Sequence, residues 1–461
     1  MAVDKMNTII KELKHYQPVS QIFQQFYKNK NAVLLDSSLE NEMGRYSIMG
    51  INEYLTLTVK DGHFFINDIE SEEPFSEYFK RYILKEKAEN PSNLPIIKGG
   101  IGYFSYDYGR EIKKIPTRHN KTIDIPEAIW NFYDNFVIED LKEKRIYLIA
   151  NNKLENAEKS IRQLKEKIDT VPHEKDKNNI NNGGNTRDIE IKADFRKNDY
   201  LNAIKKMIGY MIEGDIYIAN MTQTFKVKSH KTPYQFFTKL RKDNPSTFGG
   251  YFNYGNFQVV SASPERFMVM KDGIIHTRPI KGTRKRGKTK QEDERLKQEL
   301  INSAKDKSEL LMIVDLERND LNKVCQEHSV VVNELFRAES YATVHHLVSD
   351  ISGKLKQGLT VIDLIEASFP GGSITGAPKH RSMEIIDELE HGLRGLYTGS
   401  MGYISLDGNF DLNIVIRTAL YKNGYYYIGT GGGITCESEL EFEYEETLQK
   451  AEALFKALSD T

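Results

Sequence analysis

Residues 248–270, FGGYFNYGNFQVVSASPERFMVM, decide the fold class of this chain. They hold three strand-like runs in succession, Phe248–Tyr254, Gln258–Ser261 and Phe267–Met270, with no helical pattern between them. Upstream, Asp199–Gly214 shows helical periodicity, with Leu201, Ile204, Ile208, Met211 and Ile212 on one face, and a strand is predicted at Ile216–Thr224. Downstream, Glu292–Leu316 reads as a long helical stretch with room for one break. Further strands are predicted at Gly402–Ser405, Leu412–Ala419 and Tyr425–Gly429, and a last helix at Glu441–Leu458. Strands cluster and helices cluster, without the regular alternation of a doubly wound fold. The expectation is therefore α+β: large, mostly antiparallel β-sheets packed as a sandwich flanked by helices, in a bilobal arrangement.

On the N-terminal side, strand-like alternation occurs at Tyr54–Val59, His63–Ile69 and Arg145–Ile149. The glycine- and tyrosine-rich run Gly99–Gly109 (GGIGYFSYDYG) suits a twisted central strand entering a turn. Residues 171–188, VPHEKDKNNINNGGNTRD, are polar and nearly free of aliphatics, so they read as a linker or surface loop. The chain thus divides into residues 1–170, the polar segment 171–188, and residues 189–461. There is no internal repeat.

Length allows two or three domains, or one large bilobal unit, in 461 residues. Hydrophobic residues at 39% and charged residues at 28% are ordinary for a soluble globular protein. A net charge of −2 does not suggest a nucleic-acid or membrane-surface protein. No apolar run approaches the ~18 residues of a membrane-spanning helix, and the N-terminus lacks a signal-peptide core. Cys325 and Cys436 are the only cysteines, which excludes a disulfide framework and a cysteine-rich zinc site. A cytoplasmic location is expected.

Several constellations carry chemistry. Arg278–Gly287 (RPIKGTRKRG) places Lys281 between an apolar residue and a glycine, before a dense basic loop. A lysine so placed serves either as a desolvated amine nucleophile or as part of a solvated turn. Asp306 and Glu309, and Glu443 and Glu446, are i, i+3 acidic pairs on helical stretches, with Lys450 a further turn along. Were the two helices to face each other, the pairs would make an all-oxygen site suited to Mg²⁺; alone, each is a solvated face. The loop 369–379 superficially resembles a phosphate-binding loop, but Ala377-Pro378 intervenes before Lys379. Gly431, Gly432 and Gly433 follow a strand, where bare amides can approach an anion or simply turn the chain. His346 is a general acid–base candidate or a core histidine. Arg417 closes an aliphatic strand run and needs an anion, either a ligand carboxylate or an internal partner.

Taken in order, these segments resemble the chorismate-binding enzymes. The matching strings are Gly214-Asp215-Ile216-Tyr217, SPERF (263–267), PIKGTRKRG (279–287), LLMIVDLERNDL (310–321), HLVS (346–349), FPGGSITGAPK (369–379), RGLYTGSMGY (394–403), IRTA (416–419), GGGI (431–434) and EYEETLQKA (443–451). The N-terminal region is similar to that of the amine-transferring members through LLDSS (34–38), GRYS (44–47) and GGIGYFSYD (99–107). The resemblance implies that Glu309, Glu443 and Glu446 hold Mg²⁺, which grips the ring carboxylate of chorismate. Asp306 stands where the family commonly has glutamate. Arg417, Tyr397, Lys450 and the amides around Gly431–Gly433 would hold the substrate's carboxylates, and His346 and Thr375 would sit near the departing C4 hydroxyl.

Lys281 discriminates within the family: anthranilate-forming members carry alanine there, whereas members that aminate C4 carry lysine. The resemblance therefore implies component I of an aminodeoxychorismate synthase, with anthranilate synthase component I as the alternative. Two departures accompany it. Ile218 replaces the usual glutamine of GDIYQ, and isoleucine cannot activate water as the lysine of isochorismate-forming members does; Leu310 replaces a polar residue after Glu309. No glutaminase-like segment is present, so ammonia is expected from solution or from a separate glutaminase subunit. Leu35, Asp36 and Ser37 of LLDSS are similar to the tryptophan pocket of relatives, where tryptophan inhibits in some and is structural in others. The competing readings are a nucleic-acid binder using the basic run 281–290, blunted by Glu292, Asp293 and Glu294, and a non-catalytic relative that only binds chorismate or tryptophan.

Overall fold

The computed structural model describes residues 8–41, 43–170, 189–341 and 344–459; the expected linker 171–188 lies outside them. Twenty-two strands and eleven α-helices occur among the described residues, and every pairing between strands is antiparallel. The α+β expectation holds.

Two runs of strands diverge from the long strand Tyr46–Lys60. One passes through Ala128–Asp140, Gly99–Phe104, Ser400–Ser405, Phe410–Asn413, Arg266–Lys271 and Ile274–Thr277 to Val344–Lys354, which also carries Ile280–Lys285. The other passes through Val33–Asp36, Phe248–Asn253, Gln258–Ser263, Thr418–Lys422 and Tyr425–Ile434 to Ile218–Lys228. Residues of both runs, among them Ile101, Tyr103, Phe136, Phe252, Val259 and Leu420, share one buried cluster between them. Helices cover the outer faces in two further clusters, one with Phe79, Leu310 and Ile365, the other with Ile161, Phe236 and Leu454. This is a sheet-on-sheet core with helical outer layers. Hydrogen bonding crosses the sequence division at the polar segment: Leu34 pairs with Tyr251, and Gly102 with Gly402.

Local chemistry sets the element boundaries. The Glu292–Leu316 stretch does break once, at Ser303, giving helices Lys290–Asn302 and Ala304–Val324; the Ser303 side chain accepts from the Asp306 amide and starts the second helix. Thr360 and Asp363 form a capping box for Val361–Ser368. The run Gly99–Gly109 is a strand to Phe104 and then a helix, Tyr106–Ile112, capped by Ser105. No helix among the described residues is long and apolar enough to cross a membrane.

Candidate active site

Lys281 lies on the strand Ile280–Lys285, opposite Leu347, with a register shift between Lys281 and Thr283. Its amine reaches the end of the other strand run. A Cβ built on Gly433 would stand 3.3 Å from Lys281 Nζ and 3.5 Å from Ile218 Cδ1. The lysine head therefore rests on bare backbone, with an aliphatic side chain beside it. Any side chain at 433 would push on that amine.

The neighbouring glycine faces the last helix, Leu440–Leu458. A Cβ on Gly432 would lie 2.6 Å from Glu446 Oε2, 3.2 Å from Glu443 Oε2 and 3.8 Å from Lys450 Nζ. Lys450 donates to Glu446 (2.9 Å) and to the Gly431 carbonyl (2.8 Å), while Ser438 donates to Glu443 (2.7 Å). Glu309, on the helix Ala304–Val324, joins the same field. Its proton affinity is raised by burial, eased by Lys281 and Lys305, and raised again by Asp306 and Glu446. Glu443 is likewise raised by burial and by Glu446, against the Ser438 hydrogen bond and the ammoniums of Lys305 and Lys450. Charges on the two helices thus act on one another, a coupling that their sequences alone leave open.

Asp306 is differently engaged. Its carboxylate takes a hydrogen bond from Arg284 (3.1 Å) and stands against Gly282, where a Cβ would lie 2.8 Å from the Asp306 carboxyl carbon. Among the described residues no group of three acidic, imidazole or thiol side chains is drawn up at metal-ligating distance. The donor chemistry of Glu309, Glu443 and Glu446 still fits Mg²⁺: all oxygen, partly desolvated and mutually repelling.

Arg417 is not on a strand. The predicted strand Leu412–Ala419 is interrupted over 414–417, because the chain passes between Phe410–Asn413 of one run and Thr418–Lys422 of the other. Arg417 holds φ at +51°, a conformation that costs a non-glycine residue about 1 kcal/mol or more. Its guanidinium is half-buried and forms no ion pair among the described residues, so the internal-partner reading finds no support. Burial lowers its pKa, against the attraction of Tyr397 and Glu446. Tyr397 lies flat against Gly429, where any Cβ would collide with its ring. Thr375 is buried, with its hydroxyl donating to the Gly371 carbonyl (2.8 Å). His346 shares a hydrogen bond with Thr283 (3.0 Å), and burial lowers its pKa, favouring the neutral ring at pH 7.

Sequence reasoning gave no role to Glu265, although its SPERF string carries the resemblance. This carboxyl is raised by burial and lowered by its hydrogen bond from Ser373 (3.0 Å) and by Lys281 and Lys450. It belongs to the same cluster as the lysine amine. Arg394 was also without a role. It is buried with Glu390 and spends its donors on Glu390, Ile374 O, Asn220 O and Thr398 Oγ1, tying the Thr375 loop, the Ile218–Lys228 strand and the Tyr397 turn together. Lys379, in the loop resembling a phosphate-binding loop, is internal: it pairs with Asp320 (2.6 Å) and donates to the carbonyls of Ser368 and Pro370.

Leu35, Asp36 and Ser37 line a separate cavity of about 80 Å³ with Met43, Tyr46, Phe248 and Tyr403. Asp36 accepts from Arg241 (2.8 Å) through one oxygen, and its other oxygen, Oδ1, is buried without a partner. Ser37 is held to the main chain at Tyr46 and Thr247.

Comparison with known proteins matches residues 31–456 to a family described as chorismate binding enzyme. Anthranilate synthase component 1 of Acetivibrio thermocellus is 34% identical over 459 residues, covering 96% of this chain and 93% of that protein. Aminodeoxychorismate synthase component 1 of Bacillus subtilis is 35% identical over 460 residues, covering 94% of each. Among solved structures, anthranilate synthase component I from Streptococcus pneumoniae superposes with a TM-score of 0.81 at 29% identity, covering 90% of this chain and 93% of that one.

Proposed function

The chain belongs to the chorismate-binding enzymes, and from that premise we propose that it aminates chorismate at C4, as component I of an aminodeoxychorismate synthase. The observation that carries this reading is the Lys281 amine resting on Gly433 among Glu265, Glu309 and Lys450. Arg417, Lys450, the Tyr397 hydroxyl and the Gly431–Gly433 amides bind the substrate's carboxylates. The Lys281 nitrogen forms a bond to C2 through its lone pair as the C4 hydroxyl leaves with its electron pair, and Glu265 supplies the proton that makes it water. The secondary ammonium so formed returns a proton to Glu265. Ammonia then bonds to C4 as Glu265 protonates the Lys281 nitrogen, which departs from C2 with the bonding pair as a free amine; the new C4 ammonium returns that proton to Glu265, and the enolpyruvyl ether stays intact. Neutral His346, beside Thr283, positions the departing hydroxyl with Thr375. Mg²⁺, held by Glu309, Glu443 and Glu446, would neutralise the acidic cluster and grip the ring carboxylate.

Ammonia comes from a separate glutaminase subunit or from solution, and the product serves p-aminobenzoate and folate synthesis in the cytoplasm. The cavity at Leu35, Asp36 and Ser37 binds tryptophan, whose ammonium satisfies Asp36 Oδ1. Anthranilate synthesis is the second reading, favoured by relatives of that name at the same level of identity.

The test is product analysis with chorismate, Mg²⁺ and excess ammonium. A product that keeps the enolpyruvyl group and carries nitrogen at C4 is expected, with at least a hundred-fold loss in Lys281→Ala. Anthranilate and pyruvate, formed equally by Lys281→Ala, would establish the second reading instead.

A further inference from the structure

A cavity of about 230 Å³ shares the Tyr397–Gly429 wall with the active site, yet none of Lys281, Glu309, Glu443, Glu446 or Arg417 lines it. One side is a row read straight across three strands: Lys192 stands opposite Lys226, and Lys226 opposite Tyr427. Both lysines line the cavity. Like charges placed directly opposite on paired strands repel, and neither ammonium forms an ion pair among the described residues. Lys226 Nζ lies 3.9 Å over the Tyr425 ring and 5.8 Å from that of Tyr427. Such an arrangement is relieved by an anion.

The rest of the lining restricts what that anion is. Leu420, opposite Tyr427, continues the row with an apolar side chain, and Leu393, Leu396 and Val415 add further apolar lining. Asp194 also lines the cavity, with Oδ1 taking the Thr224 amide (2.9 Å) and its carbonyl meeting His391 Nδ1 (3.1 Å). A carboxylate thus finds two ammoniums, a flat ring finds Tyr427 and the leucines, and a ring amino group finds the Asp194 carboxylate. A few convergent polar groups in an apolar cleft are the usual form of a small-molecule site.

We propose that this cavity is a regulatory site for an aminobenzoate, a planar aromatic monocarboxylate with a ring amino group, acting through Tyr397 on the chorismate site. The ligand class rests on the reading of the chain as a chorismate-aminating enzyme, because amination at either C4 or C2 leads to an aminobenzoate once pyruvate is lost. Bound ligand holds Tyr397 from behind and so alters the grip of Tyr397 and Arg417 on substrate.

Calorimetry of the full chain with 2-aminobenzoate, 4-aminobenzoate and benzoate, with and without saturating chorismate, tests it. One equivalent of an aminobenzoate should bind, more tightly than benzoate, and saturating chorismate should shift its affinity without displacing it. Lys226→Ala and Leu393→Trp, the second filling the cavity, should each weaken binding at least ten-fold while leaving chorismate consumption without aminobenzoate unchanged. No binding by any of the three acids overturns the proposal, as does binding that chorismate displaces and both variants leave intact. A chain that binds aminobenzoate in this pattern but consumes no chorismate would sink the proposed function while keeping the site.

Discussion

At the residue scale, the chemistry of the site depends on what surrounds a single amine and a single carboxyl. Lys281 stands out in the sequence through the order of motifs around it, since its own stretch reads more readily as a solvated turn. Glu265 does not, because nothing local distinguishes it. Its character arises only when the loop after Gln258–Ser263 is folded against Ser373 and the two lysines. Burial raises its proton affinity above that of an ordinary glutamate, so it holds its proton to higher pH and can give it to a leaving hydroxyl. Activity that depends on the protonated form falls as pH rises through that raised pKa. Glu265→Gln cannot donate: kcat should drop roughly 10²- to 10⁴-fold, and the alkaline limb assigned to this group should vanish from the kcat–pH profile. A variant that kept the limb would show the proton comes from elsewhere. Arg417 was half legible. Its need for an anion follows from its place at the end of an aliphatic run, but its positive φ comes from the chain crossing between sheets, which no local pattern announces.

At the scale of elements, the adjacent glycines of the strand Tyr425–Ile434 separate packing from chemistry. A Cβ on Gly431 would press on the Met221 carbonyl of the paired strand, which cannot yield without breaking the ladder. A Cβ on Gly432 meets the end of the Glu446 side chain at 2.6 Å, and that side chain can swing. Gly431→Ala should therefore cost about 1–3 kcal/mol of stability in chemical denaturation. Gly432→Ala should keep its denaturation midpoint but lose at least ten-fold in kcat/KM, because the displaced carboxylate belongs to the acidic cluster. The short helix Tyr106–Ile112 offers a pH test. Burial pushes Asp107 up to about 7, against Arg110 and the Gly395 amide, and its Oδ1 has no partner. The unfolded chain ionises near pH 4 while the folded chain keeps the proton, so this group withdraws stability as pH climbs from about 4 to 7 and changes nothing above that. Asp107→Asn removes the ionisation. Its midpoint relative to the parent should rise across that window, by on the order of 1–4 kcal/mol, and then level off. A constant difference from pH 4 to 9 would mean the carboxyl is not held protonated. Periodicity found most of the elements but not their ends: Tyr425–Gly429 continues to Ile434 because glycines without side chains carry no strand signal.

At the scale of the whole molecule, the sequence reads as two regions around a polar segment, whereas the hydrogen bonding joins them. Composition drops sharply at 171–188, and a local reading has no means of seeing that Val33–Asp36 will pair with Phe248–Asn253, more than two hundred residues on. The sandwich core makes the same point: Ile101, Phe136 and Ile149 from before the polar segment pack with Phe252, Val259 and Leu420 from after it. What was legible was the class, because clustered strands without intervening helices leave antiparallel sheets as the remaining solution. What was hidden was connectivity, which depends on contacts distant in sequence. The chemistry depends on that connectivity. The strand Ser400–Ser405, which precedes the Arg417 segment, has Gly99–Phe104 as a hydrogen-bonded neighbour, and Gly395 is anchored by Asp107. Residues 189–461 made alone would thus expose the edges of Phe248–Asn253 and Ser400–Ser405 and half of the central core. Unpaired apolar edges of this kind aggregate. The expected outcome is an insoluble or loosely packed fragment without near-ultraviolet circular dichroism, and recovery of a cooperative transition when residues 1–170 are co-expressed with it. A soluble 189–461 fragment that unfolds cooperatively and binds chorismate would show instead that the catalytic region is an autonomous lobe.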